Sequence, residues 1–476
     1  MEKTQQENRI GRDFTMWQLI KFALPAILTH LFTQLFRSVD DGLFVSRYVG
    51  ESALASISLM KPVESIIMAF AQLFSIGAST LSAQYMGNHN QTEAKRIFTR
   101  IIIIGLILGI AFALALNIFC EPIARFMGAD DSTIDNAKIY TRIVLTDAPI
   151  NILVAIFGAY YSTAGKPQMG LVCSITSGIV NIVFDILFIP VMQLGVVGSS
   201  LSTVLGEIAV CSIGMFFYSR RSHEIHFVKP AGNYGSTLKA IWKSGFSQFI
   251  NSISFSATNL VTNKTLLSYL GSNGIAANSI IGDLRIILNA AFVGYVGCVG
   301  PIIAYNYGSG NVKRLKKILT HNLRFWFYGT VGVTLVGQLL KVPLITVFFG
   351  HNISKELFDM IFLGLTIEYC ACPFTCGCIF VMRMFVALGN PRTASILTTL
   401  RNFAFRISMV LLMPALFGEI GVWLAFPVAE FISFMLASTL VYYNRDNYGY
   451  GKSGVALKMQ GDYLLKTTDL VEDDAD

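Results

Sequence analysis

The sequence predicts an all-α polytopic membrane protein of twelve transmembrane helices arranged as two parallel six-helix repeats. Three observations carry that expectation: the composition, the length of the apolar runs and an internal duplication. Of 476 residues, 53% are hydrophobic and 14% charged, whereas soluble domains average about 25% charged. A mean hydropathy of +0.58 leaves too few polar side chains to cover a water-facing surface. Runs such as 97–119 and 325–349 are long enough to cross a hydrocarbon core of about 30 Å as helices.

Polar breaks and turn residues cut the chain into apolar segments near 16–40, 52–85, 97–119, 134–163, 168–190, 195–218, 240–270, 273–306, 317–349, 354–388, 392–414 and 420–443. With the N-terminus inside, the inside loops hold fourteen Lys and Arg, concentrated at Lys95 to Arg100, Arg220 to Lys243 and Lys313 to Lys317, against five in the outside loops. That bias predicts both termini in the cytoplasm. The polar N-terminal stretch has no small-residue cleavage site and reads as no signal peptide. The net charge of +7 sits in these loops rather than among aromatic residues of a soluble segment, so no nucleic-acid partner is expected.

A shift of 221 residues aligns YVGESALASIS (48–58) with YLGSNGIAANS (269–279), and without a gap pairs Ala83 with Ala304, Gly87 with Gly308 and Lys95 with Lys316. A shift of 224 pairs AGKP (164–167) with LGNP (388–391), and one of 226 pairs LGVV (194–197) with IGVW (420–423). Six segments separate equivalent helices, an even number, so the halves are parallel repeats with a default substrate site between them. The resulting division is 1–218 for the N-terminal lobe, 219–239 for a cytoplasmic linker, 240–444 for the C-terminal lobe and 445–476 for a polar tail.

A carboxylate at bilayer depth costs several kcal/mol unless solvated or paired, so the few acids in apolar segments are the most informative residues. Asp40 and Asp41 end the first segment, Asp185 lies in SGIVNIVFDILFIP and Glu207 in the sixth segment. Asn181 precedes Asp185 by one turn, and Thr203 precedes Glu207 by one turn, so each pair shares a helix face. Carboxylate, amide and hydroxyl oxygens suit Na⁺, and a desolvated carboxylate suits H⁺ exchange. The plainer alternative is that Asp185 only bonds a neighbouring helix and that Asp40 and Asp41 are interfacial. The second-half equivalents of Asp41, Asn181 and Asp185 are Thr262, Phe405 and Met409, which confines the ion chemistry to the N-terminal half.

The C-terminal half carries Glu368, Arg383, Arg401, Arg406 and Glu430, read as a polar network of interhelical ion pairs. Glu64 and Arg285 occupy equivalent positions with opposite charge and either pair or lie at the interface. Cys370, Cys372, Cys376 and Cys378 spread around a helix at about 100° per residue and cannot converge on one ion, so they read as small apolar fillers. No Gly-x-x-x-x-Gly-Lys-Ser/Thr loop and no metal-spaced histidine pair is present. The expectation is a secondary transporter, not an enzyme, with no cofactor beyond a coupling ion.

The stretch VDDGLFVSRYVGESALASIS, with Asp41 at the family's Asp position, resembles the multidrug and toxin extrusion (MATE) family of antiporters. Similar too are GASTLSAQYMGNHNQTEAKR (77–96), GCVGPIIAYNYGSGN (297–311), ALGNPRTA (387–394), LRNFAFRISMVLLMP (400–414) and GVWLAFPVAEFIS (421–433), so the likeness runs over roughly 14–444. Ser46 stands where many members carry Gly. The resemblance implies two six-helix bundles forming a V around a central cavity, a multi-pass monomer in the plasma membrane, and export of amphipathic, often cationic compounds against inward Na⁺ or H⁺. It also implies cation ligands at Asp41, Asn181, Asp185 and Thr203, and a bend of the first helix at Pro25 in FALPAIL. Arg401 and Glu430 match family positions as well. A lipid-linked oligosaccharide flippase and a non-transporting membrane scaffold are the alternatives; the flippase should line its cavity with Arg and Lys to hold a pyrophosphate.

Overall fold

The computed structural model of the protein describes residues 9–39, 51–127, 134–349, 354–445 and 448. Every element among them is helical. In chain order these are α1 (Met16–Val39), α2 (Glu51–Gly87), α3 (Gln91–Ile118), α4 (Cys120–Phe126), α5 (Ile134–Val144), α6 (Ala148–Thr163) and α7 (Gln168–Ile186). There follow α8 (Gly195–Ser219), α9 (Tyr234–Gly308), α10 (Val312–Phe349), α11 (Lys355–Cys370), α12 (Cys372–Ala387), α13 (Pro391–Thr399) and α14 (Arg406–Tyr443). Wider π turns extend α7 over Leu187–Val191 and join α13 to α14 over Leu400–Phe405.

Seven helices of the described residues are long and apolar enough to cross a membrane, and two bent pairs, α5 with α6 and α11 with α12, bring the number to nine. The expected twelve exceeds that number for physical reasons. The helix α1 carries Gln18, Lys21, His30 and Gln34, and the first part of α9 carries Lys239, Lys243, Asn251 and Lys264, so both are less apolar. The stretch Pro391–Tyr443 counts as one span of 53 residues, about 80 Å at 1.5 Å per residue, although Gly418 breaks it with φ 60° and ψ −137°. Gly271, with φ 65° and ψ −159°, breaks α9 in the same way.

Burial separates inner from outer helices. The apolar window of α2 is 72% buried and that of the later part of α9 is 56%, whereas those of α10 and α7 are 17% and 28%. The outer helices present large apolar side chains such as Leu339, Phe327, Ile118 and Ile179 to the lipid. Between membrane helices there is no hydrophobic driving force, and close backbone contact at small residues supplies the packing instead. A Cβ built on Gly87 falls 2.0 Å from the Tyr305 carbonyl oxygen, and one on Gly308 falls 2.1 Å from the Gln84 carbonyl oxygen. Gly87 and Gly308 are 221 residues apart, as are Gln84 and Tyr305, so the contact is reciprocal under the repeat read from the sequence.

The turns repeat in the same register. After α2, Asn88 N–H donates to Gln84 O (3.0 Å) and Asn90 N–H to Tyr85 O (2.9 Å), with His89 at φ 60°. After α9, Ser309 N–H donates to Tyr305 O (2.9 Å) and Asn311 N–H to Asn306 O (3.2 Å), with Gly310 at φ 66°. Asn90 and Asn311 then cap the next helices by accepting from Glu93 N (3.1 Å) and Arg314 N (3.0 Å). The bend between α5 and α6 is 51° and that between α11 and α12 is 47°, each with a proline, Pro149 or Pro373, just inside the second helix.

The stretch from Arg220 to Asn233 is held along α3. Arg100, fully buried, donates to Glu93 Oε1 (2.8 Å), to Thr237 Oγ1 (2.6 Å) and to the Ala231 carbonyl, while Val228 N–H donates to Thr99 Oγ1 (3.1 Å). Near the N-terminus, Lys317 donates to Asp13 Oδ1 (2.8 Å) and holds that carboxyl below the ordinary carboxylate range. The tail 449–476 lies outside the described residues.

A side chain at the reciprocal crossing meets backbone that cannot step aside, and overpacking costs about 1–3 kcal/mol even where neighbours relax. Gly87→Val and Gly308→Val should each abolish a monodisperse peak in detergent size-exclusion chromatography. Gly158→Ala, whose Cβ meets nothing within 4 Å, should leave the peak unchanged.

Candidate functional site

Helices α7 and α8 meet closely because Gly206 has no side chain: its Cβ would sit 3.3 Å from Ser177 O and 3.8 Å from Asn181 Cβ. That approach sets Asn181 and Asp185 of α7 opposite the Ser199 to Thr203 turn of α8. Asp185 is fully buried and accepts a hydrogen bond from the Ser202 hydroxyl. The same Ser202 hydroxyl oxygen lies 2.8 Å from Ser199 O, and Thr203 Oγ1 donates to that carbonyl (3.1 Å). Just beyond Asp185 the helix widens into the π turn containing Pro190, a local device frequent at functional sites.

Of the expected cation ligands, Asn181, Asp185 and Thr203 thus come from two adjoining helices, while Asp41 lies outside the described residues, as does Asp40. The hydroxyl bonded to Asp185 is that of Ser202, one residue before the expected Thr203. Ser202 carried no signal in the sequence beyond its place on the buried face of α8. Pro25 does not interrupt α1, whose helix is continuous from Met16 to Val39. Thr29 Oγ1 donates to the Pro25 carbonyl at 2.8 Å.

A second polar group of this half lies where α5 turns into α6. Asn151 Nδ2 donates to Glu207 Oε1 at 2.9 Å. Asp147, one turn before Asn151 at the start of α6, is buried with its carboxyl within hydrogen-bonding reach of Glu207. Sequence reasoning singled out Glu207 but passed over Asp147, which lies inside the segment read as one apolar run, 134–163.

In the C-terminal half, Arg401 donates to Glu430 Oε2 (2.9 Å) and Arg406 approaches Glu430 Oε1 at 4.0 Å. Arg285 donates to Glu368 Oε1 at 2.6 Å. Arg285 therefore pairs with Glu368 and not with Glu64, which accepts from Tyr140 at 3.4 Å. The sequence offered Glu64 as a partner because the two residues are repeat-equivalent, but Glu64 on α2 faces Tyr140 of α5 while Arg285 on α9 faces Glu368 of α11. The guanidinium groups of Arg285 and Arg406 both stack on Phe426, at 4.5 and 4.2 Å from the ring centre. A small cavity beside this network is lined by Arg285, Asn289, Glu368, Tyr369, Thr375 and Phe426. The thiols of Cys372 and Cys376 lie 3.8 Å apart and all eight cysteines are free, with Cys370 exposed. Among the described residues no three His, Cys, Asp or Glu side chains converge as metal ligands.

The MatE family model matches residues 25–187, the stretch that contains α7 and Asp185. Multidrug export protein MepA of Staphylococcus aureus is 26% identical over 436 residues, covering 90% of this chain and 94% of that protein. MepA of Staphylococcus saprophyticus is 26% identical over 448 residues, covering 91% and 95%. Among solved structures, an outward-facing multidrug resistance MATE family transporter superposes with a TM-score of 0.88 at 19% identity, over 94% of this chain and all of that one. A MOP superfamily transporter from Pyrococcus furiosus gives 0.86 at 19% identity, over 94% and 99%. The helical fold, the MatE family match over residues 25–187 and relatives that align along nine-tenths of the chain make this membrane protein similar to MATE family transporters.

Proposed function

We propose that the protein exports amphipathic, cationic drug-like compounds by antiport against Na⁺ or H⁺. Two six-helix halves, twelve crossings in all, would alternate access to a cavity between them, with both termini in the cytoplasm. The observation that carries the reading is Asp185, a carboxyl with no exposure at the α7–α8 contact, opposite a turn of serine and threonine hydroxyls. Its repeat equivalent is the apolar Met409, and that of Asn181 is Phe405, so the position answers no packing need shared by both halves. The relatives' description as multidrug export proteins supports the substrate class.

Na⁺ or a proton bound at Asp41, Asn181, Asp185 and Thr203 would neutralise this region and weaken the hold on a cationic drug. Pro25, which removes one helical hydrogen bond from α1, is the place where that helix would bend. The flippase alternative asks for free basic side chains to hold a pyrophosphate. Arg285 and Arg401 are instead engaged by Glu368 and Glu430.

Purified protein in proteoliposomes should move ethidium when a Na⁺ or H⁺ gradient is imposed; no movement under either gradient would overturn the proposal. Asp185→Asn should remove the gradient-driven component, whereas Met409→Leu should keep it, and equal loss in both would refute the N-terminal assignment. Because linkage is reciprocal, the coupling ion should change the ethidium dissociation constant by between about 5-fold and 150-fold. Fluorescence titration with and without Na⁺ at two pH values reads that change and identifies the ion.

A further inference from the structure

We propose that Asp147 and Glu207 form a second proton-binding site, holding one proton between their two carboxyl groups where α5 bends into α6. The inference deepens the antiport reading and rests on it, and its ligand is H⁺. Asp147 begins α6 and Asn151 lies one turn on, so both face α8, where Asn151 Nδ2 holds Glu207 Oε1 at 2.9 Å. Asp147 is only 7% exposed, its Oδ1 meets no hydrogen-bond donor, and its carboxyl reaches Glu207. Two ionised carboxylates within hydrogen-bonding reach of each other repel strongly inside a membrane. One shared proton replaces the repulsion with an O–H···O bond, as in carboxyl dyads elsewhere.

Among the described residues, the charged side chains on the neighbouring elements are engaged elsewhere or exposed. The span of α3 packed on the bend, from Ile101 to Ile118, has no titratable side chain, and its Gly109 lies directly on Pro149. On α5, Lys138 is engaged by Glu121 and Asp135, Tyr140 by Glu64, and Arg142 is exposed. On α8, Cys211 follows Glu207 by one turn and Thr203 precedes it by one turn. The other buried acid of this half, Asp185 on α7, is engaged by Ser202.

The repeat separates this chemistry from architecture. The second half makes a 47° bend at the same place with Ala371 where the first has Asp147, and Ser433 aligns with Glu207. A bend made equally well without either carboxyl does not explain why both are present. The pair lies one turn of α8 from Thr203, close enough for its charge to be felt at the cation ligands.

Infrared titration of the full-length protein in liposomes tests the proposal directly. The wild type should show the carbonyl stretch of a protonated carboxyl at neutral pH, and that band should disappear as pH rises. Glu207→Gln and Asp147→Asn, which supply an amide N–H in place of the shared O–H, should each lose the band, while Asp185→Asn should retain it. A band unchanged in both amide variants overturns the proposal. Should those variants fail to fold, absence of any such band in the wild type at neutral pH overturns it equally. The band without dye movement under any gradient would sink the antiport reading alone; gradient-driven dye movement without the band would sink this inference alone.

Discussion

The reciprocal crossing of α2 and α9 at Gly87 and Gly308 is the constraint on which the arrangement of the other helices depends. Each glycine lies against the carbonyl three residues before the other, so neither position tolerates a side chain. A contact of this closeness fixes the separation of α2 and the later part of α9, whose apolar windows are the most buried of the candidate spans. A second close contact of α2 with the start of α9, Gly77 on Ile241 O and Gly245 on Leu73 O, adds to it. The outer helices are then packed on this pair and offer their remaining faces to lipid.

Much of this was legible in the sequence because membrane helices write themselves as long apolar runs and because the duplication survives in turn residues. The pairing of Gly87 with Gly308, read as a mere alignment match, proves to be a physical contact, and the AGKP and LGNP turns share a left-handed glycine, Gly165 at φ 67° and Gly389 at φ 72°. His89 shows the limit of residue-type reasoning: it adopts the left-handed conformation that Gly310 adopts in the other copy, at a cost that a glycine avoids. The bends were illegible. Asp147 and Cys372 each sit within an uninterrupted apolar stretch, and a proline one or two residues inside a helix signals a start only once the break is known.

At the candidate site, helical spacing sufficed to put Asn181 and Asp185 on one face. It did not suffice to choose between Ser202 and Thr203 as partner of Asp185, because that choice depends on how α8 is rotated against α7, which Gly206 and Ser177 settle. The two halves handle charge differently. Around the candidate sites, the C-terminal half matches Arg401 with Glu430 and Arg285 with Glu368, whereas α6, α7 and α8 gather carboxyls with hydroxyl and amide neighbours. A duplicated scaffold has thus kept its turns and bends while its two interiors have diverged in polarity.

The binding of residues 228–237 along α3 has a mechanical corollary. Arg100, Thr99 and Glu93 fasten the connection between the halves to the first of them as far as Thr237, and Gly245 then seats the start of α9 on α2. The connection is therefore not a slack tether whose length absorbs displacement. Any displacement of α9 against α3 would have to arise beyond this clamp, and a probe attached to residues 228–237 would report the position of α3.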